Sequence, residues 1–272
     1  MPFDAATLGR HDFAAYVLEH VQQAAVLLNS GARRINITGT QAHVPRVLND
    51  GNASWVAEGE EIPSDAPEAD EMVLVPKGIK NTAVLSNESI GDVEADVLDA
   101  VGDALTRSVA RGLDVKAFSA DAATAKAPAG LLDLLDEIGS NGTVDVATIR
   151  ARLAALMGVG AVPNAVYVHA DDYAALDAEE DSTGRGLLVP DPTMPGAQLI
   201  GGARLHVAPL PEAGTAIIAE AQPIVVGVRK DATVDFSPHA AFTADSVVAR
   251  VVGRFDWDVN DPAGIDVIRP AA

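Results

Sequence analysis

The sequence predicts an α+β fold in which a protruding two-stranded arm and one long helix precede an α/β region and a β-rich end. Three observations carry that prediction. Apolar residues recur at helical spacing from Ile90 to Val109, residues 73–85 alternate as a strand does, and the chain from Thr233 onward has almost wholly extended character.

Taken in order, Phe13, Val17, Val21, Ala24 and Leu28 predict a helix that starts near Asp12 and ends at Gly31. The stripe fits an ordinary core helix and a peripheral arm equally well. Short extended pieces follow at residues 35–38 and 43–48, and Asn49-Asp50-Gly51-Asn52 reads as a turn. Residues 73–85 place Ile79, Ala83 and Leu85 on alternating positions, with residues 55–62 as the expected partner strand and residues 63–70, which hold two prolines and three acids, as a solvated tip. A lone hairpin is marginal in water unless its apolar face packs on something else. A neighbouring subunit is the expected cover.

The long helix is announced by Ser89 with Asp92 three residues on, a capping box, and by the stripe Ile90, Val93, Val97, Val101, Leu105 and Val109. Asp92, Glu94, Asp96, Asp99 and Asp103 crowd its front half, and Arg107, Arg111 and Lys116 its rear, which opposes the macrodipole at both ends. These charges read as a solvated face of a rigid strut rather than as an acidic catalytic cluster. The Ala-rich passage 114–129 closes on Pro128-Ala129-Gly130, an expected domain boundary. Beyond it come a helix at 145–157 with Ile149, Leu153 and Leu156 inward, a buried strand at 165–169 and a short helix at 172–178. Residues 180–198 form a Gly-, Pro- and Asp-rich loop long enough to suggest function or mobility. Strands are expected at 201–207, 216–219, 224–228, 233–236, 246–259 and 264–268.

Composition narrows the function. A chain of 272 residues can bury a real core, and 48% hydrophobic with only 4% aromatic residues builds that core from Ala, Val, Leu and Ile. A net charge of −20 argues against a protein that grips nucleic acid. With no cysteine there is neither a disulfide nor a thiolate metal site. The most apolar run, residues 217–228, is short and broken by Glu220 and Pro223, so no membrane span is expected and the product reads as intracellular and soluble.

Signatures of catalysis fail one after another, and neither a cofactor nor a catalytic residue is expected. Gly158-Val159-Gly160 lacks the third glycine of a dinucleotide fingerprint and precedes a strand. Asp256-Trp257-Asp258-Val259-Asn260-Asp261 imitates a calcium loop, yet its sixth position is Asp261 and its twelfth Val267, where glycine and glutamate are needed. His169 with Asp171 and Asp172 holds the residue types of an acid/base or metal site, but a strand end followed by a helix cap accounts for them better. No Walker sequence, no zinc pair of histidines and no nucleophile elbow is present.

In their order and spacing these pieces resemble the major capsid proteins of tailed bacteriophages, whose Hong-Kong-ninety-seven-like fold encapsulin shells share. The residues that carry the resemblance are Trp55-Val56-Ala57-Glu58-Gly59-Glu60-Glu61-Ile62-Pro63, Lys77 and Lys80, and Ser86-Asn87-Glu88 leading through Asp92 into the helix. Asp114, Pro128-Ala129-Gly130-Leu131, Gly184 and Gly186 with Leu187-Leu188, and Phe255-Asp256-Trp257-Asp258-Val259 with Pro262 extend it over nearly the whole chain.

The resemblance implies an N-terminal arm at 1–50, an extended loop at 51–86, a peripheral domain with the spine helix at 87–122 and 223–256, and an axial domain at 123–222 and 257–272. It further implies self-assembly as pentamers and hexamers into an icosahedral virion shell around double-stranded DNA, built in the host cytoplasm. Portal, scaffold and decoration proteins would be its other partners. Contact between subunits is then expected at Trp55, Glu58, Ile62, Lys77, Ile79, Lys80 and Leu85 on the hairpin and at Arg107 and Arg111 on the helix. Three features depart from the family pattern. No asparagine lies between Asn164 and Asn260 to join a loop lysine in an isopeptide bond, so Lys77 and Lys80 are expected to be solvated or ion-paired. No long charged segment precedes the arm, so a scaffold is expected to be separate. The charge of −20 leaves packaged DNA in weak contact with the wall. Two readings compete with the capsid: an encapsulin-type compartment around a cargo enzyme, and an enzyme that uses His169 and Asp172.

Overall fold

In a computed structural model of the chain, residues 25–49, 54–61, 68–88, 97–194 and 196–270 are described. The first of them form a single helical turn, α1 (Val26–Asn29), which stops where Gly31 takes a left-handed φ of 96°. The expected start of this helix near Asp12, and its residues Phe13, Val17, Val21 and Ala24, lie outside the described residues. Three strands lead on from it: β1 (Arg33–Asn36), β2 (Ala42–Asn49) and β3 (Glu68–Leu74). Then come β4 (Lys77–Ser86) and the long helix α2 (Val97–Ala117). The capping box at Ser89 and Asp92 again falls outside the described residues.

The hairpin differs from the expected one. Residues 54–61 form no strand, and β3 pairs antiparallel with β2, from Ala42 opposite Leu74 to Asn49 opposite Glu68. Strand β4 leaves the hairpin altogether. It pairs with residues far along the chain, in β12 (Ser246–Val259), from Ser86 opposite Ser246 to Lys77 opposite Phe255. The physical reason is burial: alternate residues Ile79 and Ala83 pack on the core under α2, which a free hairpin would leave wet.

Past α2 run α3 (Leu131–Leu134), β5 (Ser140–Asn141), α4 (Val146–Gly158), β6 (Ala165–Val168) and α5 (Ala170–Asp177). Next come β7 (Val189–Pro190), β8 (Gln198–Ile200), β9 (Ala203–Val207), β10 (Ala216–Ala219), β11 (Ile224–Ala241) and, after β12, β13 (Ile265–Arg269). One sheet has four strands in the order β1-β11-β12-β4, and the other seven in the order β5-β13-β10-β6-β9-β8-β7. The two strands expected at 224–228 and 233–236 are one strand, β11, that crosses the intervening charged residues through register shifts near Lys230.

All four residues of β6 and of β10 are buried, as strands covered on both faces must be. Period-two alternation divides them. Ala165, Tyr167, Ile217 and Ala219 join a cluster that also holds Leu105, Val109, Leu113 and Phe118 from α2 and its end, Val226 from β11 and Val251 and Trp257 from β12. Val166, Val168, Ala216 and Ile218 face the opposite way, against Ile149, Leu153 and Leu156 of α4 and Leu176 of α5. A third, small cluster of Ile37, Val44, Met72, Leu74 and Val225 roots the hairpin. Among the described residues no helix is long and apolar enough to cross a membrane.

Candidate assembly surface

Helix α2 buries Leu105, Val109, Ala110, Leu113 and Ala117 and leaves Arg107 and Arg111 exposed on the other side. Gly102 and Gly112 are the two positions where the helix lacks a side chain. At Gly112 the gap is filled from β4, since a Cβ there would lie 3.0 Å from Ile79 Cδ1. Ile79 is therefore engaged by its own helix. Leu85 lies on the same, half-buried side of β4, while Lys80, Thr82 and Val84 point outward, Val84 with 65% of its surface exposed.

The loop at residues 54–61 carries the feature least explained by the chain itself. Ala57 N–H donates to the Glu60 carboxylate and Glu60 N–H donates back to the Ala57 carbonyl, each at 3.1 Å, so the turn is closed reciprocally. That closure leaves Glu58 and Glu61 exposed and the Trp55 side chain in full contact with solvent. Trp is the costliest side chain to leave wet, and its enrichment at interfaces reflects that. Ile62, the other apolar residue expected here, lies outside the described residues.

A pocket of about 150 Å³ opens where β4, the end of α2, residues 126–128 and β12 meet. Ile79, Leu113, Pro128, Phe255 and Trp257 give it apolar walls, and Lys77, Lys116 and Lys126 supply its charge. Trp257 is fixed by its Nε1–H, which donates to the Ala129 carbonyl at 2.8 Å. Lys116 donates to the Asp121 carbonyl at 3.1 Å and lies 3.4 Å from the Asp121 carboxylate.

A buried carboxyl and a half-buried one hold the peripheral pieces to this body. Asp114, near the end of α2, accepts from Val26 N–H at 2.7 Å and Leu27 N–H at 3.1 Å, closing the open end of α1. Burial outweighs those two bonds and raises its pKa to about 6. Asp256 of β12 accepts from Val75 N–H, between β3 and β4, and burial raises it likewise to about 6. The sequence did hold a signal for Asp114: an acid four residues after Ala110 and three before Ala117 sits on the apolar side of the helix.

The residues considered for catalysis serve the framework. His169 itself caps α5, its Nδ1 accepting from Asp171 N–H at 3.2 Å, where an aspartate had been the expected cap. Asp172 reaches away to accept from Gly214 N–H at 2.8 Å. A polar cavity of about 490 Å³ that sequence reasoning missed holds Asn164, Asp191, Arg204 and His206. Thr193 and Arg204 hold Asp191 at about 2, and burial pushes His206 down to about 4, so neither is poised for proton transfer near neutrality. Within the stretch 180–198, Asp181 and Asp191 each cap a turn through a threonine, and β7 pairs with β8 at its end.

Comparison with known proteins bears on the family and the fold. The family model described as the phage capsid family matches residues 8–269. No curated protein matches the sequence. Among solved structures, a chain from Mycobacterium phage Adephagia superposes with a TM-score of 0.69 at 18% identity, covering 91% of this chain and 90% of that one. A structure described as the capsid of an empty GTA particle gives 0.71 at 19% identity, with 92% and 90% covered, and one from Microbacterium phage Oxtober96 gives 0.70 at 17%, with 91% of each covered.

Proposed function

Since the chain belongs to the phage capsid family and is a structural major capsid protein, we propose that it closes into an icosahedral shell around the double-stranded DNA of a tailed phage. The α+β fold shared with phage capsid chains supports this reading. The encapsulin alternative is not favoured, because the family model and these neighbours are of phage capsids. The observation that carries the shell reading is the fully exposed Trp55 on a loop whose own turn is satisfied. Such a side chain is a demand for a second copy.

In this reading the arm at 1–50 and the loop at 51–86 reach to neighbours, residues 87–122 and 223–256 form the peripheral domain, and residues 123–222 with 257–272 meet their copies in pentamers and hexamers. Trp55, Glu58, Ile62, Lys77, Lys80, Arg107 and Arg111 lie between subunits, and Ile79 and Leu85 support that contact from beneath. Assembly takes place in the host cytoplasm, with portal, scaffold or decoration proteins as further partners and DNA in weak, non-specific contact. The protein has no catalytic role. Electron microscopy of the purified protein tests the whole reading: closed shells are expected, and a preparation of discrete small particles under all assembly conditions overturns it.

A further inference from the structure

A pocket with apolar walls and three lysines, and a wet tryptophan beside exposed glutamates, occur on the same chain. We propose that Trp55 of one copy seats in the pocket between α2, β4 and β12 of a neighbouring copy, with Glu58 and Glu61 against the lysines at its rim. This deepens the shell reading and rests on it.

Among the described residues Trp55 makes no contact that shields it, being fully exposed. The pocket, at about 150 Å³, opens to solvent and is of the order of size that a single aromatic ring fills. Its walls already include Phe255 and Trp257, which offer an incoming indole edge-to-face or offset packing. Lys77, Lys116 and Lys126 surround the opening, positions from which an ammonium group can also approach the face of the indole.

The charge match is selective because it runs against the molecule as a whole. A chain of net charge −20 repels its copies, so a patch with three lysines is the kind of place where an acidic loop is drawn in. Two nearby acids moderate that patch: Asp121 lies 3.4 Å from Lys116, and Asp256 is within electrostatic reach of Lys77. Lys126 is exposed and is the cation best placed to receive Glu58 or Glu61. On the loop, Glu60 is occupied by its own turn, which leaves Glu58 and Glu61 as the outward pair.

The absence of native cysteine makes the test clean. Full-length chains carrying Glu58→Cys are mixed with chains carrying Lys126→Cys, assembled and oxidised, and the products separated in SDS without reductant. A cross-linked pair is expected from the mixture and from neither variant alone. Trp55→Ala is expected to raise the protein concentration for half-assembly at least tenfold while its thermal melt as a free subunit overlays the wild type. Lys126→Glu should weaken assembly similarly, and Glu58→Lys with Lys126→Glu should restore it. Shells that form normally from Trp55→Ala, or mixed shells without the cross-link, overturn the docking and leave the shell reading intact. A lowered melt of the free Trp55→Ala subunit, or a cross-link from Lys126→Cys to a different virion protein, also overturns it. Failure of the wild type to form shells at all would instead remove the reading beneath it.

Discussion

At the scale of the residue, Asp114 decides how the start of the chain is held. Both its oxygens accept backbone N–H groups of α1, and its pKa rises from 3.8 to about 6 because burial outweighs those bonds. A carboxyl that binds its proton more tightly when folded supports stability fully below pH 4 and loses that support as pH rises through 6. Asp114→Asn keeps the shape and removes the titration. On acidification from pH 7.5 to 4.5, wild type should therefore gain about 2 kcal/mol over the variant in denaturant unfolding. A difference that stays flat with pH contradicts this account. Asp256 has the same sign, so its burial also costs less stability in acid. Gly130 is decisive for another reason: a Cβ there would lie 1.8 Å from the Ser119 carbonyl oxygen, and Gly130 N–H donates to the Asp121 carbonyl. Gly130→Ala should cost about 3 kcal/mol in chemical denaturation, because backbone must move to admit the methyl group.

At the scale of the element, the hairpin and the long helix contrast. Surface contacts along the hairpin, Arg46 with Asp70 at 2.8 Å and His43 with Glu71 at 2.9 Å, are screened by solvent and add little. The root does more, and Leu74 within it is fully buried. Leu74→Ala should remove about 2 to 4 kcal/mol from the hairpin's attachment. The measurement is limited proteolysis: cleavage near residues 54–61 should accelerate while the global melt falls less than the attachment does. Helix α2 was legible from sequence because its period is local, every apolar partner lying three or four residues away. The partner of residues 77–86 was not legible, since β12 lies some 160 residues on and nothing local specifies it. The extended piece expected at 43–48 is part of β2, and Pro45 is tolerated there because it stands opposite Glu71 in a two-stranded ribbon. Trp55 and Glu58 were expected on a hairpin strand at a subunit contact, and the structure places them on a loop instead. The pocket needs residues from four separate stretches and has no sequence signature.

At the scale of the molecule, charge and covalency set the expectations. Mature particles should run as a single monomer band in SDS, since the chain lacks an asparagine between Asn164 and Asn260 to meet Lys77 or Lys80. A ladder of linked subunits contradicts that. Isolated subunits at net charge −20 should show no strongly salt-dependent binding to linear DNA. The core has a consequence of its own. One apolar cluster is shared by α2, the four-stranded sheet and a face of the seven-stranded sheet, while the hairpin keeps a separate small one. Close-packed interiors are bistable or rigid but not continuously deformable. The body of the subunit is thus a stiff tile, and the hairpin a tab joined to it through its own small cluster. In the proposed shell the same tile sits in unlike surroundings, and the difference in angle is expected to fall on the tab. Changes to the core are then expected to alter how many tiles are made, and changes to the hairpin's root the radius at which they close.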